Sequence, residues 1–396
     1  MPLSRAFIPY GAYWSTPFCR WQGALSAVSS VELAALVARE VLADRKIDPA
    51  ALDAVILGMT VPQRHSFYGA PWLAAMLGAP GVTGPTLSQA CATSARVVAT
   101  AAAEVELGNR ACVLGVTTDR TSNGPHLYYP APDAPGGRGI AEDWVWDNFN
   151  LDPWAGHAMV QTAEAVAHES GITRAQQDEV TLLRSAQYQE ALADDRAFQK
   201  PWMAPVSIKR GKEVKVVAAD EGVFPTTAEG LAKLKPVVDG GTVTFGTQTH
   251  PADGNAGILV CNEGRARELA LDDAVTIRIV ATGEARTDKG RMPKAVVPAA
   301  RKALESAGIA IADLATVKTH NPFAVNDVYF SKETGFPLDR MNRYGSALVY
   351  GHPQAPTGSR GIIEMIEELV AAGGGWGLVS GCAAGDTAMA VVLRVG

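Results

Sequence analysis

Ala95-Arg-Val-Val-Ala-Thr-Ala-Ala-Ala-Glu-Val-Glu-Leu-Gly-Asn-Arg-Ala-Cys-Val-Leu-Gly-Val116 decides the fold class. Ala95–Leu107 is rich in Ala and Val and reads as a helix, which Gly108-Asn109 ends. Ala111–Val116 then reads as a buried strand, because it is apolar throughout instead of alternating. Upstream, Val31–Leu42 has apolar residues at helical spacing, and Asp53-Ala-Val-Ile-Leu-Gly58 is a second short buried strand. Helices alternating with buried strands define an α/β fold. The strand-like Val82–Leu87 adds to this.

The pattern returns near the end of the chain. Pro293–Ala307 and Gly361–Ala371 read as helices, and Ala315–Thr319, Gly377–Ser380 and Met389–Val392 as strands. Gln89-Ala-Cys-Ala-Thr-Ser94 before the Val97-Val98 helix corresponds to Gln354-Ala-Pro-Thr-Gly-Ser359 before the Ile362-Ile363 helix. The offset is 265 residues and persists into the next strand, at Val113 and Leu378. We read this as an internal duplication. Between the ends, about 119–250 changes character. It holds Pro130–Gly137, an aromatic cluster (Trp144, Trp146, Phe149, Trp154), one long helix from about Thr162 to Leu192, and a basic run at Lys209–Lys215. It reads as a loop-rich insertion. The domains are therefore 1–118, 119–250 with its last strands returning to the core near 242–262, and 265–396.

Composition excludes several classes. The 396 residues are 47% hydrophobic and 19% charged, which argues against disorder. No apolar run reaches the roughly 18 residues of a membrane span, and Met1–Tyr10 has no apolar signal core, so a cytoplasmic location is expected. Five cysteines without a C-x-x-C pair disfavour a disulfide framework or zinc ribbon. Seven histidines without an H-x-x-x-H pair disfavour a zinc hydrolase, so no metal is expected. A net charge of −6 gives no footprint for nucleic acid.

Four small-residue turns could carry chemistry. Cys91 lies where a strand runs into a helix, and a thiol at a helix start should be stabilised as thiolate by the macrodipole and free amides. His352, in Gly351-His352-Pro353, stands before the corresponding second helix. Cys382 lies in Ser380-Gly-Cys-Ala-Ala-Gly-Asp386, after a strand. His320, in Thr319-His-Asn-Pro-Phe323, lies at a strand end, where sites in α/β folds gather. Each alone reads as an ordinary packed or turn residue. Together, two thiols and two imidazoles are the equipment of nucleophilic acyl transfer.

At these residues the sequence resembles the thiolase family. Gln-Ala-Cys91-Ala-Thr-Ser matches the acyl-accepting segment. Asn342-x-x-Gly345-x-Ala347-x-x-x-Gly351-His352-Pro353 with Thr357-Gly-Ser-Arg360 matches the histidine segment. Cys382 with Gly385 matches the second-cysteine loop. His320-Asn-Pro-Phe323 sits where many members have Asn-Glu-Ala-Phe. Thr162-Ala-Glu164, Glu229–Pro236 and Asp253-Gly254 fall in family order, so the likeness spans most of the chain.

The resemblance implies two duplicated βαβαβαββ-type halves in five layers (α-β-α-β-α) with an inserted loop domain. It implies coenzyme A as substrate with no permanent cofactor, and a homodimer or homotetramer. A small zinc-containing oligonucleotide-fold partner subunit stays open. Cys91 would be the nucleophile, His352 its base and Cys382 the second acid. The amides of Cys91 and Ala384 would form one oxyanion hole, and His320 would contribute to the other. Thr249, His250, Phe224, Met159 and Asn342 would contact substrate or coenzyme A. Departures surround this core. Asn321-Pro322 replaces Glu-Ala, removing a usual carboxylate, Phe224 stands for an Arg, Ala158 for a His, and Thr249-His250 for Ser-Gly. Tyr128, Tyr129, Trp144, Trp146 and Trp154 fall in the part that covers the acyl end in this family. They point to a bulky, aromatic or carboxylate-bearing acyl group, or else to the insertion's own core or an oligomer contact. Two other readings compete: a ketosynthase-like condensing enzyme, disfavoured by Cys382, and a non-catalytic acyl-CoA-binding subunit, disfavoured by the retained Cys91, His352 and Cys382.

Overall fold

The computed structural model describes residues 2–134 and 136–396. Two sheets carry the fold. The first runs Tyr13–Ser15, Ala252–Cys261, Cys112–Arg120, Ala54–Gly58, Thr86–Leu87, with Cys19–Arg20 also paired to Ala252–Cys261. The second runs Ile277–Arg286, Thr387–Val395, Gly375–Ala383, Leu314–Lys318. In each, two antiparallel pairings are followed by a parallel one. The halves thus share strand order and direction, as duplication requires.

Side-chain alternation sorts the layers, because successive residues of a strand face opposite ways. Met389, Val391, Leu393 and Val395 face inward and share one core with Val97, Val98 and Ala102 and with Ile362, Ile363 and Ile366. The helices Thr93–Glu106 and Gln354–Ala371 therefore fill the space between the sheets. Ala388, Ala390 and Val392 face the other way, against Val296, Val297 and Val328 of the helices Val296–Ala307 and Ala324–Thr334. On the first sheet, Val55, Leu57, Leu114 and Val116 face the helices Ser30–Asp44 and Ala70–Leu77. Five layers result. Each fully buried Val, Leu or Ile contributes roughly 1.5–3 kcal/mol. Gly58 and Gly115 let the Thr93–Glu106 helix approach its sheet closely. A Cβ on either would come within 2.8 Å of a Val97 methyl.

Three sequence expectations need correction. The long helix from Thr162 to Leu192 is two helices, Met159–Glu169 and Arg174–Arg196. The chain breaks at Gly171, whose φ of +60° no helix tolerates, and restarts at a Thr173/Gln176 capping box. The basic run 209–215 forms part of a hairpin, Val206–Arg210 with Glu213–Val217. The helix expected to start near Cys91 begins at Thr93.

The segment between Arg120 and Ala252 joins two strands that are neighbours in the first sheet, so it is an excursion from the core. Arg360 of the Gln354–Ala371 helix ties it down. Its guanidinium is fully buried, bonds Asp220 at 2.7 and 2.8 Å and Glu364 at 2.9 Å, and lies 3.7 Å from the Tyr350 ring centroid.

Candidate active site

Cys91 occupies a turn that the chain strains to make. Ala90 has φ +42°, a left-handed conformation that costs a non-glycine residue about 1–2 kcal/mol. Thr93 holds the turn: its hydroxyl donates to the Ala90 carbonyl (2.7 Å) and accepts from the Gln89 amide (2.8 Å). His352 stands just before the second central helix, after Gly351 at φ +87°. Its amide donates to the His250 carbonyl at 2.9 Å.

These two turns meet the ends of two strands of the second sheet. His320 follows Leu314–Lys318, and its ring lies against the Gly381 backbone. A Cβ there would come 2.5 Å from Nδ1. Cys382 Sγ is 3.6 Å from His320 Nε2 and accepts from Asn326 Nδ2 at 3.2 Å. The His320 and His352 rings stack at 5.0 Å between centroids. The ligand-bearing atoms of Cys91, His320 and His352 all lie within 4.8 Å of one another. The three are close enough to act on one bound group.

The tautomer of His352 follows from its partner. Thr357 Oγ1 donates its single hydrogen to the Pro353 carbonyl (2.6 Å), so it accepts from His352 Nδ1 (2.8 Å). Nε2 is then left with a lone pair, buried and without a partner. Burial, with the nearby His320 ring, holds His352 well below the usual imidazole range, and burial pushes His320 down to about 3. Both rings are therefore neutral.

Cys91 departs from the thiolate-stabilising expectation. Burial, reinforced by the charge of Asp119, pushes it up to about 12. The amides of Cys91 and Ala384 act on the sulfur in the opposite sense and do not win. Burial, with Cys91 next to it, also raises Cys382, against the Asn326 bond. The resting pair is thiol and neutral imidazole.

The other expected residues divide. His250 packs against Gly351, and Phe224 is exposed with its ring 6.4 Å from that of His250. Thr249 Oγ1 donates to the Ala347 carbonyl at 2.6 Å, and its amide to that of Pro322, so this strip lies between the His320 and His352 turns. Met159 packs beside the outer core of the second sheet. Asn342 is buried, with its side-chain amide turned to the His320 turn and Asp327. Its Oδ1 accepts from the Thr319 amide, and its Nδ2 donates to Thr319 Oγ1 and Asp327 Oδ2. It holds the His320 turn from behind.

Three participants went unassigned in the sequence. Thr357 was visible only as part of a motif. Asp327 supplies the carboxylate that Asn321-Pro322 appeared to remove, accepting from Asn321 Nδ2 (2.7 Å), Thr319 Oγ1 (2.6 Å) and Arg184 Nε (2.9 Å). Asp119 accepts from the amides of Thr60, Val61 and Ala355, seating the start of the His352 helix, and burial raises it to about 6. Of the five insertion aromatics, Trp144 is partly buried and donates to the Thr60 carbonyl, while Tyr128, Tyr129, Trp146 and Trp154 are exposed. They do not build a core of their own.

A thiol, an unpaired imidazole nitrogen, a second thiol and converging amides at the junction of duplicated halves equip an acyl-transferring enzyme. Family comparison agrees. Residues 12–264 match the thiolase N-terminal domain and residues 274–395 the thiolase C-terminal domain. The chain belongs to the thiolase family. It is 30% identical over 389 residues to the acetyl-CoA acetyltransferase of Allochromatium vinosum, covering 94% of this chain and 95% of that one. The Bacillus anthracis acetyl-CoA acetyltransferase structure aligns with a TM-score of 0.92 at 28% identity over 100% of both chains. The human mitochondrial 3-ketoacyl-CoA thiolase in complex with CoA aligns at 0.91 and 25% identity, over 100% of this chain and 99% of that one.

Proposed function

We propose that this thiolase cleaves 3-oxoacyl-CoA with coenzyme A to give acyl-CoA and acetyl-CoA, and runs the reverse condensation, through an acyl group on Cys91. Coenzyme A is a substrate, and no permanent cofactor takes part. The observation that carries this reading is the free His352 Nε2 beside the Cys91 thiol, with the Cys382 thiol against the stacked His320 ring.

His352 Nε2 takes the Cys91 proton as the sulfur attacks the 3-oxo carbon, and the oxygen becomes an alkoxide. Collapse breaks the bond between C2 and C3, leaving acyl-Cys91 and the enolate of acetyl-CoA. Neutral His320 donates a hydrogen bond to the enolate oxygen, and Cys382 protonates C2. The Cys382 thiolate then takes the thiol proton of coenzyme A, which attacks the acyl-enzyme. Cys91 leaves and recovers its proton from His352. The Cys91 and Ala384 amides face the oxygen of the acyl-enzyme step. Fixed donors are worth most where charge develops in a dry site. Cys382 favours this over a ketosynthase-like condensation, and the assembled groups favour it over a non-catalytic subunit.

Intact-protein mass spectrometry after mixing with 3-oxoacyl-CoAs tests the reading. A single acyl adduct on Cys91, discharged by coenzyme A, is expected. Absence of any adduct across the panel overturns it. The resemblance also supports a homodimer or homotetramer, which sedimentation would read.

A further inference from the structure

The loop after Ile277–Arg286 carries a surface that this chemistry does not use. Register places it. Ala383, next to Cys382, pairs with Thr387, and Thr387 pairs with Arg286. Two interstrand steps put the Arg286 backbone about 10 Å from Ala383. Arg286 faces the same way as Glu284, two residues earlier. The Glu284 carboxylate accepts from Gln89 Nε2 at 3.0 Å, and Gln89 is two residues before Cys91. Arg286 thus stands on the Cys91 side of the second sheet, at its rim.

The rim is rigidly built. Buried Asp386, in the turn after Cys382, accepts from the Gly290 and Arg291 amides at 2.9 Å each. Across from it, Asp152 Oδ1 accepts from the Trp154 and Ala155 amides at 2.8 Å each, holding the backbone of that turn. The two turns touch: a Cβ on Gly290 would lie 2.7 Å from His157 Nε2. Over the Trp154 ring stand Lys289 Nζ, 5.0 Å from the centroid, and the Arg286 guanidinium, at 6.0 Å. Among the described residues no carboxylate pairs with either cation, whereas neighbouring Arg291 and Lys294 both pair with Glu169 at 2.6 Å. Asp288, in the same loop, pairs with neither. In a chain of net charge −6, two unneutralised cations over one aromatic plane are a local exception.

We infer that Arg286, Lys289 and Trp154 receive a carboxylate at the far end of the acyl group, so that the preferred substrates are 3-oxoacyl thioesters ending in a carboxylate. The inference rests on the thiolase reading above. An arginine fork matches a carboxylate in two parallel bonds, lysine adds a point charge, and the indole covers the methylenes. The phosphates of coenzyme A offer the same anionic chemistry, and the test separates the two sources.

Thiolysis of a 3-oxo-ω-carboxyacyl-CoA is compared with that of its methyl ester, in the unmodified protein and in the Arg286→Ala/Lys289→Ala double variant. The acid should be preferred, and the acid-to-ester ratio of kcat/KM should fall about 10- to 100-fold in the double variant. Arg286→Lys should recover part of the ratio. No preference for the acid, or an unchanged ratio in the double variant, overturns the inference. So does a raised KM for coenzyme A with equal losses on both substrates, which would assign the rim to phosphate. If neither ester nor acid acylates Cys91, the thiolase reading itself fails.

Discussion

Ser94 and Ser359 hydrogen-bond to each other, oxygen to oxygen at 3.0 Å, although 265 residues separate them. That separation is the repeat offset, so each serine meets its own counterpart, and the pseudo-twofold axis of the molecule passes between them. Thr117 donates to Ser359 at 3.0 Å, Ser359 to Ser94, and Ser94 to the Ala355 carbonyl. Gly358 keeps the approach possible, since a Cβ there would come 2.9 Å from that of Ser94.

Ser359→Ala should interrupt this chain, while Thr117 keeps the Ala256 carbonyl and Ser94 the Ala355 carbonyl as acceptors. A loss of about 0.5–1.5 kcal/mol is expected, read by urea unfolding. A stability change below the error of that measurement would show that the relay is incidental.

Cys91 should alkylate slowly at neutral pH. With the thiol pushed up to about 12, the thiolate fraction rises tenfold per pH unit throughout the range below it. The iodoacetamide rate should climb from pH 6 to 9 without levelling. A plateau below pH 8 would reveal a preformed ion pair instead. Cys91→Ser should abolish turnover.

Asp119→Asn should separate two effects. Removing its charge eases ionisation of Cys91, so alkylation at fixed pH should accelerate several-fold. Yet Asn keeps an acceptor on one side only, so its NH2 meets either the Thr60 and Val61 amides or the Ala355 amide, loosening the seat of His352, and kcat should fall about tenfold. Alkylation and turnover moving in the same direction would contradict this account.

Cys382→Ala should leave Cys91 open to acylation by a simple acyl-CoA while blocking carbon–carbon cleavage. Near-normal thiolysis in this variant would remove Cys382 from the proton-donor role.

His320→Ala should cost about 10²–10³ in rate, the scale of one lost oxyanion donor. Because burial pushes the ring down to about 3, it stays neutral across the working range. The pH–rate profile of the unmodified protein should show no inflection from its protonation between pH 5 and 8.

The sequence disclosed what is local or repeated. Ala111–Val116 and Asp53–Gly58 could be read because a strand buried on both faces is apolar throughout, and the halves because their offset persists. Four small-residue turns marked the site. Ionisation was not legible: the direction at Cys91 depends on burial and on Asp119, 28 positions away in the chain. Asn342 looked like a ligand contact because motif membership does not say which way a side chain is used. The Asp327 carboxylate escaped notice because it reaches Asn321 from the next helix, not from the motif position. The break at Gly171 was available in principle, through Thr173 and Gln176, but the apolar spacing runs on across it.

Arg360 and Asp220 carry one more consequence. Removing one member of a buried pair costs about 3–5 kcal/mol, and here three aromatic rings, Phe18, Trp202 and Tyr350, close around the guanidinium. The excursion between Arg120 and Ala252 is therefore moored near its C-terminal end, where Asp220 meets a helix of the second half and Trp202, Met203, Val206 and Ile208 enter the cores. Phe224, four residues past Asp220, sits close to that mooring, while Tyr128 and Trp146, at the far end of the segment, stand in solvent.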